Sequence, residues 1–444
     1  MNKVVFLKNK YVQKGLAMMM ALGMAASLSA CSLESSTPQI SGTQNEENSS
    51  LSMEEAPQLN YDIPDMEPGI IVDRNGYSTQ EVKYAWIVGE NIPEEYNIHD
   101  ANTNEIVYTG KTVKNKYDEE SKQYIAEFTF AELQKEGEYY IAAENLGESC
   151  RFVVGETHYK DVFEELLEAE CKKCRDGEAD AWECYMMVYT YERYKDVIST
   201  DSEKYDVMSA VKEWIAESNF DKSAGSEAYL QTALLAKFAY NYTQTDRQLA
   251  TECLQKAAAI YKRTIFTEEC INEKFIALTE IYRSSADASY SKEILDMESY
   301  LEKLDRPHDS RYILYGSMAY MMTRGYVSRD LCDSLMNALL YECEDNNKDK
   351  ILLHPTKGDA DRASELLVYA QQFEVLNYIL DGYEYNEKIM SIIHYLSGRN
   401  SQGVICELNE EFPSDGLVIY AWLALLEKNG KLDPNAPVVW QYSW

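Results

Sequence analysis

Histidine is scarce, five in 444 residues, and none has a sequence neighbour at the spacing of a metal site or a catalytic triad. Positive charge is also short: 42 Lys and Arg stand against 75 Asp and Glu, for a net charge of −33. That balance excludes nucleic acid as a partner, because phosphate backbones are held by clustered cations. It also sets the chain against anionic membrane surfaces, while neutral polysaccharide stays compatible. Beyond residue 30 no apolar run is long enough to span a bilayer. The nine cysteines from Cys150 to Cys406 are odd in number and scattered, unlike the paired framework of a small secreted domain. Free thiols are expected, with no cofactor and no metal.

The one apolar run lies at the start. Lys3, Lys8, Lys10 and Lys14 precede an uncharged stretch from Leu16 to Leu28, the pattern of a signal peptide over residues 1–30. It ends in Leu28-Ser29-Ala30-Cys31, which resembles the bacterial lipobox. The expectation is cleavage before Cys31, a lipid on its thiol, and an extracytoplasmic protein anchored to the bacterial cell membrane. Loss of four lysines and no acid takes the net charge from −33 to −37. Residues 31–60 are too polar to bury their own backbone and read as a flexible tether.

The pattern then changes twice. Val82 to Val88, Tyr96 to Ile98, Glu105 to Tyr108, Gln123 to Phe130 and Glu138 to Ala143 are short runs rich in β-branched and aromatic residues. Asn75-Gly76, Thr109-Gly110, Glu136-Gly137 and Leu146-Gly147 punctuate them, so residues 61–157 predict a β-sandwich of immunoglobulin type. From Tyr159 glycine thins out and apolar residues recur at helical spacing, as in Leu230, Ala233, Leu234 and Phe238, or Ile271, Phe275, Leu278 and Tyr282. Roughly twelve such segments make residues 158–444 all-α. Antiparallel helices in that number stack as a solenoid or close as a ring of six pairs, and periodicity does not choose between them.

Both regions carry a family resemblance. Asp73-Arg74-Asn75-Gly76-Tyr77, the segment from Ala131-Glu132-Leu133 to Gly137-Glu138-Tyr139-Tyr140, and Ser149 to Val154 are similar to the turn, hairpin and last strand of the immunoglobulin-like module that precedes glycoside hydrolases of family 9. Tyr159 to Cys174, Tyr229 to Arg263, Asn272 to Tyr290 and Ile393 to Gly403 resemble helices and the "YlLGrNp.G" segment of the hydrolase itself. The resemblance implies an (α/α)6 barrel and an inverting endo-β-1,4-glucanase, with cellulose-like β-glucan as partner.

Inverting hydrolysis needs one carboxylate to activate water and one carboxylic acid to protonate the leaving oxygen. The resemblance puts the base in Asp180-Ala181-Trp182-Glu183 and the acid at Glu410. At the first position the family's Asp-Ala-Gly-Asp has become Asp-Ala-Trp-Glu, which also fits acids on the solvated side of a helix start. The long His- and Arg-bearing loop that the family places before its acid is missing, since only six residues separate Gly403 from Glu410. Another segment that would wall the cleft is missing after Tyr194.

Other residues invite a role. Among 35 tyrosines and six tryptophans, most of them core residues of helices, Trp182, Tyr185 and Tyr315 are the candidates for stacking on sugar. Trp440 to Trp444 form an aromatic tail. Cys171, Cys174 and Cys184 look like half a zinc site, but no histidine is near in sequence, and packing thiols are the expectation. His394 is expected to be a satisfied core histidine. Three functions remain: a reduced β-glucan hydrolase, a catalytically degenerate glucan-binding surface protein, and a helical scaffold for protein partners. Two carboxyls about 6.5–9.5 Å apart in a cleft would favour the first.

Overall fold

The turn Asp73-Arg74-Asn75-Gly76-Tyr77 sets the start of the folded chain. Gly76 takes φ +117°, where a Cβ would lie 2.4 Å from the Val153 carbonyl oxygen, so only glycine fits. One oxygen of Asp73 accepts the backbone N–H groups of Asn75 (2.7 Å) and Gly76 (3.0 Å) and closes the turn. In this computed structural model the described residues are 69–112, 114–119, 122–199, 203–350, 362–403, 405–406 and 413–433. Cys31, the segment 31–60, Glu410 and the tail from Trp440 to Trp444 lie outside them.

Among the described residues, ten strands form two sheets. The first has the order β1 (Ile70–Ile71), β3 (Tyr84–Gly89), β7 (Gln123–Thr129), β6 (Lys114–Asp118). The second runs β2 (Tyr77–Ser78), β10 (Phe152–Gly155), β8 (Gly137–Ala143), β4 (Glu95–Asp100), β5 (Ile106–Lys111), with β9 (Gly147–Glu148) paired to β8. Alternate residues of each strand turn inward, and Ile87, Ile98, Phe128, Phe130, Tyr139, Ile141 and Phe152 interlock as one buried core. Strand β6 escapes sequence reading because Lys114-Asn115-Lys116 is polar, as suits an edge strand that must not pair further.

The chain then turns helical at His158. Twelve α-helices of nine residues or more follow among the described residues. Six alternate ones are buried on nearly every face: α2 (Ala181–Tyr194), α4 (Gly225–Tyr242), α6 (Ile271–Ser285), α8 (Arg311–Met321), α10 (Ala363–Leu380) and α12 (Pro413–Lys428). Between them lie α1 (His158–Arg175), α3 (Val207–Glu217), α5 (Arg247–Arg263), α7 (Ala288–Asp296), α9 (Arg329–Asp345) and α11 (Asn386–Leu396). Helix α5 keeps Ala250, Cys253, Ala257 and Ile260 inward and charges outward, the spacing of an outer layer. Each inner helix touches the next, and α12 packs back against α2, so the pairs close as a ring. An open superhelix is ruled out by that last contact.

Charges fill the ring where the inner helices end. Lys237 of α4 reaches Glu192 of α2 (2.9 Å) and Glu280 of α6 (3.1 Å), Arg283 pairs with Glu192, and the Tyr185 hydroxyl donates to Glu280 (2.7 Å). Burial opposes the charge on Glu192, but Lys237 and Arg283 outweigh it and hold its pKa far below the usual carboxylate range. Arg193 pairs with Glu374 of α10 at 3.2 Å. Six charges thus cancel in two groups inside the core.

Sandwich and ring belong to one compact unit, residues 67–444, and one histidine joins them. His394 of α11 is 2% exposed; its Nδ1 lies 2.7 Å from Asp73 Oδ2 and its Nε2 lies 3.2 Å from Glu81 Oε2. Glu81 also accepts from the Tyr159 hydroxyl (2.8 Å) of α1 and from the Ser78 backbone. Burial works against a charged imidazole, but the two carboxylates outweigh it and raise its pKa. Beside it Arg74 N donates to Ser397 O at 2.8 Å, and Asn75 donates to the Ser397 hydroxyl at 3.2 Å. Glu427 of α12 receives the backbone N–H of Tyr159 (3.4 Å) and Lys160 (3.1 Å), and burial lifts its pKa to about 7.

Replacing His394 by Ala strands two buried carboxylates, and chemical denaturation is expected to show a loss of about 3–5 kcal/mol. The pH dependence has a defined sign. A histidine whose pKa is higher folded than unfolded contributes stability that is whole below about 6.5 and lost as pH rises through the folded value. Glu427 acts in the same direction: raised from 4.5 to about 7, it withdraws stability as pH climbs between those values. Glu81, held below its usual value, acts only on the acid side. The contributions of Glu427 and His394 should therefore shrink as pH rises, against an opposite change from His158, whose pKa burial lowers. In melting curves taken across pH, Glu427→Gln should remove the loss between 4.5 and about 7, and His394→Ala the loss that begins above about 6.5.

Candidate functional site

The inner helices present their N-terminal ends on one side of the ring, and the sequence candidates for the base lie there. Asp180 is the N-cap of α2. Its Oδ1 accepts the Glu183 N–H at 2.8 Å, and Glu183 Oε2 accepts the Asp180 N–H at 2.8 Å, a reciprocal capping box. The other Glu183 oxygen pairs with Lys173 of α1, and Glu183 is buried at 7% exposure. Both acids thus close a helix start, with Glu183 buried in it and not on the solvated side. Asp180 alone is exposed.

The expected sugar-stacking rings are a correction. Trp182, Tyr185 and Tyr315 are 3%, 1% and 0% exposed. Trp182 stacks on Tyr185 at 5.1 Å and meets Tyr312 edge-on at 4.9 Å and Tyr315 at 5.8 Å. They plug the mouth of the ring from inside, because α2 and α8 are both inner helices and their facing side chains have nowhere else to pack. The Trp182 that replaces the family's glycine is therefore a core residue.

What this mouth leaves accessible was not singled out from the sequence. Arg311, at the first position of α8, holds its guanidinium 5.3 Å from the ring centres of both Trp182 and Tyr312. Tyr312 is half-buried; burial raises its hydroxyl's pKa, Arg311 pulls it down, and Glu273 and Asp180 push it up. Arg311 and Tyr312 thus border one aromatic patch, with Glu273 and Asp180 near enough to act electrostatically on the Tyr312 hydroxyl. No signal in the sequence brings α2, α6 and α8 together, so nothing there could have found it.

The remaining candidates resolve as packing. Cys171, Cys174 and Cys184 are buried, and among the described residues no cluster of three His, Cys, Asp or Glu side chains is placed to hold a metal. His308 lies between Glu342 (Nδ1, 3.2 Å) and the Ser317 hydroxyl (Nε2, 3.3 Å), the order of a hydrolase relay. All three are at most 1% exposed, so it is a buried hydrogen-bond chain with no substrate side. A depression of about 370 Å³ between the α3–α4 connection and α5 is lined by Phe220, Asp221, Lys256 and Arg263. It offers one acid and no carboxyl pair. No helix among the described residues is long and apolar enough to cross a membrane.

The chain thus sets a two-sheet sandwich ahead of a closed ring of helix pairs. Residues 65–148 match the family described as the cellulase N-terminal ig-like domain. Solved structures extend the likeness over both regions. A metagenome-derived glycoside hydrolase family 9 endoglucanase superposes with a TM-score of 0.62 at 13% identity, over 74% of this chain and 83% of that one. A thermostable endoglucanase from Alicyclobacillus acidocaldarius gives 0.58 at 16%, over 76% and 83%. Bacteroides ovatus GH9 gives 0.59 at 13%, over 76% and 86%. Comparison with curated protein sequences finds no match. The chain has the two-domain fold of a family 9 endoglucanase.

Cap and base make different demands on residue 180. Because asparagine caps as well as aspartate, Asp180→Asn should leave the unfolding free energy nearly unchanged, while Asp180→Ala should lose about 1 kcal/mol in urea titration. Trp182→Ala, which empties the plug, should cost about 3–5 kcal/mol.

Proposed function

We propose that this protein binds β-glucan at the outer face of a bacterial membrane without hydrolysing it. The observation that carries this reading is the capping box: Glu183, whose spacing from Asp180 resembles the family's acid pair, is buried in a helix start and neutralised by Lys173, which leaves one exposed oxygen of Asp180 and no pair there. Inverting hydrolysis requires a free carboxylate facing a water opposite the acid. Binding asks less. Equatorial hydroxyls take hydrogen bonds from a guanidinium and give them to carboxylates, and a phenol ring covers an apolar sugar face. Arg311, Tyr312, Asp180 and Glu273 supply those groups at the ring mouth, where the glucan chain would lie. The fold's likeness to endoglucanases supports a cellulose-like ligand. The acidic surface suits a neutral polymer, and the lipobox-like Cys31 supports a lipid anchor.

Residues 32–444 should be retarded in native gels containing hydroxyethyl cellulose, mixed-linkage glucan or xyloglucan, and should release no reducing sugar from any of them. Arg311→Ala combined with Tyr312→Ala should weaken the retardation about tenfold, the equivalent of about 1.4 kcal/mol. Free migration on all three gels overturns the reading. Sugar release that vanishes in Glu410→Gln and in Asp180→Asn would restore the hydrolase. For the anchor, the full-length chain should incorporate radiolabelled palmitate and sediment with membranes, and Cys31→Ser should do neither.

A further inference from the structure

Three sulfur atoms meet at the junction of α1 and α2. Cys174, near the end of α1, has its Sγ 3.3 Å from Sγ of Cys184, in the first turn of α2, and 3.3 Å from Sδ of Met187. The two thiols are 1% and 0% exposed. The residues just before them are also partners: Lys173 and Glu183 form an ion pair across the same two helix ends. Lys173-Cys174 and Glu183-Cys184 therefore make two adjacent bridges, one ionic and one sulfur to sulfur, and the first holds the second in register.

We propose that Cys174 and Cys184 are a redox pair that closes to a disulfide when the protein meets a disulfide oxidant, stapling the end of α1 to the start of α2. Closure to a bond of about 2.05 Å needs an approach of roughly 1.3 Å from the 3.3 Å contact. The connection can absorb it: Asp176, Gly177 and Glu178 are exposed, and Gly177 turns at φ +70° with open space around its α-carbon. In the reaction one thiolate attacks the oxidant's S–S bond, releasing one thiol and leaving a mixed disulfide. The second thiolate then displaces the other half. Two S–H bonds are lost and one S–S bond forms, and the two electrons and two protons leave on the two thiols of the reduced oxidant. Because both thiols are buried, opening of the exposed turn sets the rate. Cys171, one turn earlier on α1 and also buried, is the competing thiol.

The test treats purified residues 32–444 with oxidised glutathione, then unfolds, alkylates and digests the chain for peptide mass mapping beside a reduced control. The expected product is a single cross-linked peptide pair joining Cys174 to Cys184. Lys173→Met should slow its formation several-fold, and Lys173→Arg should restore the rate. Alkyl label on both cysteines, glutathione retained on either one, a cross-link to Cys171 or another cysteine, or stoichiometric metal on these thiols in the untreated protein would each overturn the proposal. None of these outcomes depends on glucan binding.

Discussion

A buried histidine between two carboxylates is the contact on which the arrangement of this protein rests. His394 comes from the ring, and Asp73 and Glu81 come from the sandwich, so neither region satisfies its own charges. Apart, the two regions would leave these groups to water; docking desolvates them and offsets that cost by pairing them, so truncating one side is far costlier than the net worth of the bridge. The same oxygens serve the local structure: Asp73 closes the Gly76 turn with its other oxygen, and Glu81 anchors Tyr159 at the first helix. Fold, turn and domain contact are therefore one hydrogen-bonded system.

The ring interior follows a similar economy. Its inner helices could have packed with aliphatic side chains alone. Instead Glu192, Lys237, Glu280 and Arg283 meet at one end, and tyrosines and Trp182 close the other. The charged end ties α2, α4 and α6 in a fixed order, because each cation has acids from two helices. The aromatic end interlocks Trp182 with Tyr185, Tyr312 and Tyr315 across facing helices, and the Arg311 guanidinium lies beside it.

Much of this was legible from residues. Alternation and turn glycines placed β3, β4, β5, β7 and β8, and helical spacing placed the helices, because both signals arise from neighbours in sequence. Two of the segments that carried the family resemblance, Asp73 to Tyr77 and Ile393 to Gly403, meet across the domain contact. The carboxylate spacing of Asp180 and Glu183 was visible, but that spacing serves a capping box as well as a reacting pair. Trp182, Tyr185 and Tyr315 showed the same ambiguity: a ring that can stack on sugar can stack on another ring.

By itself the sequence determined the class of each region, the acidic balance of the chain and the burial of His394, since these depend on composition and on contacts within a few turns. Only the tertiary structure decided that the helices close into a ring, because closure is a contact between α12 and α2, more than two hundred residues apart. It alone showed Asp180 and Glu183 closing a helix start, gave His394 partners 321 and 313 residues away, and brought Arg311 and Tyr312 against Trp182. Side-chain period records which way a residue faces, and the fold decides what it meets there.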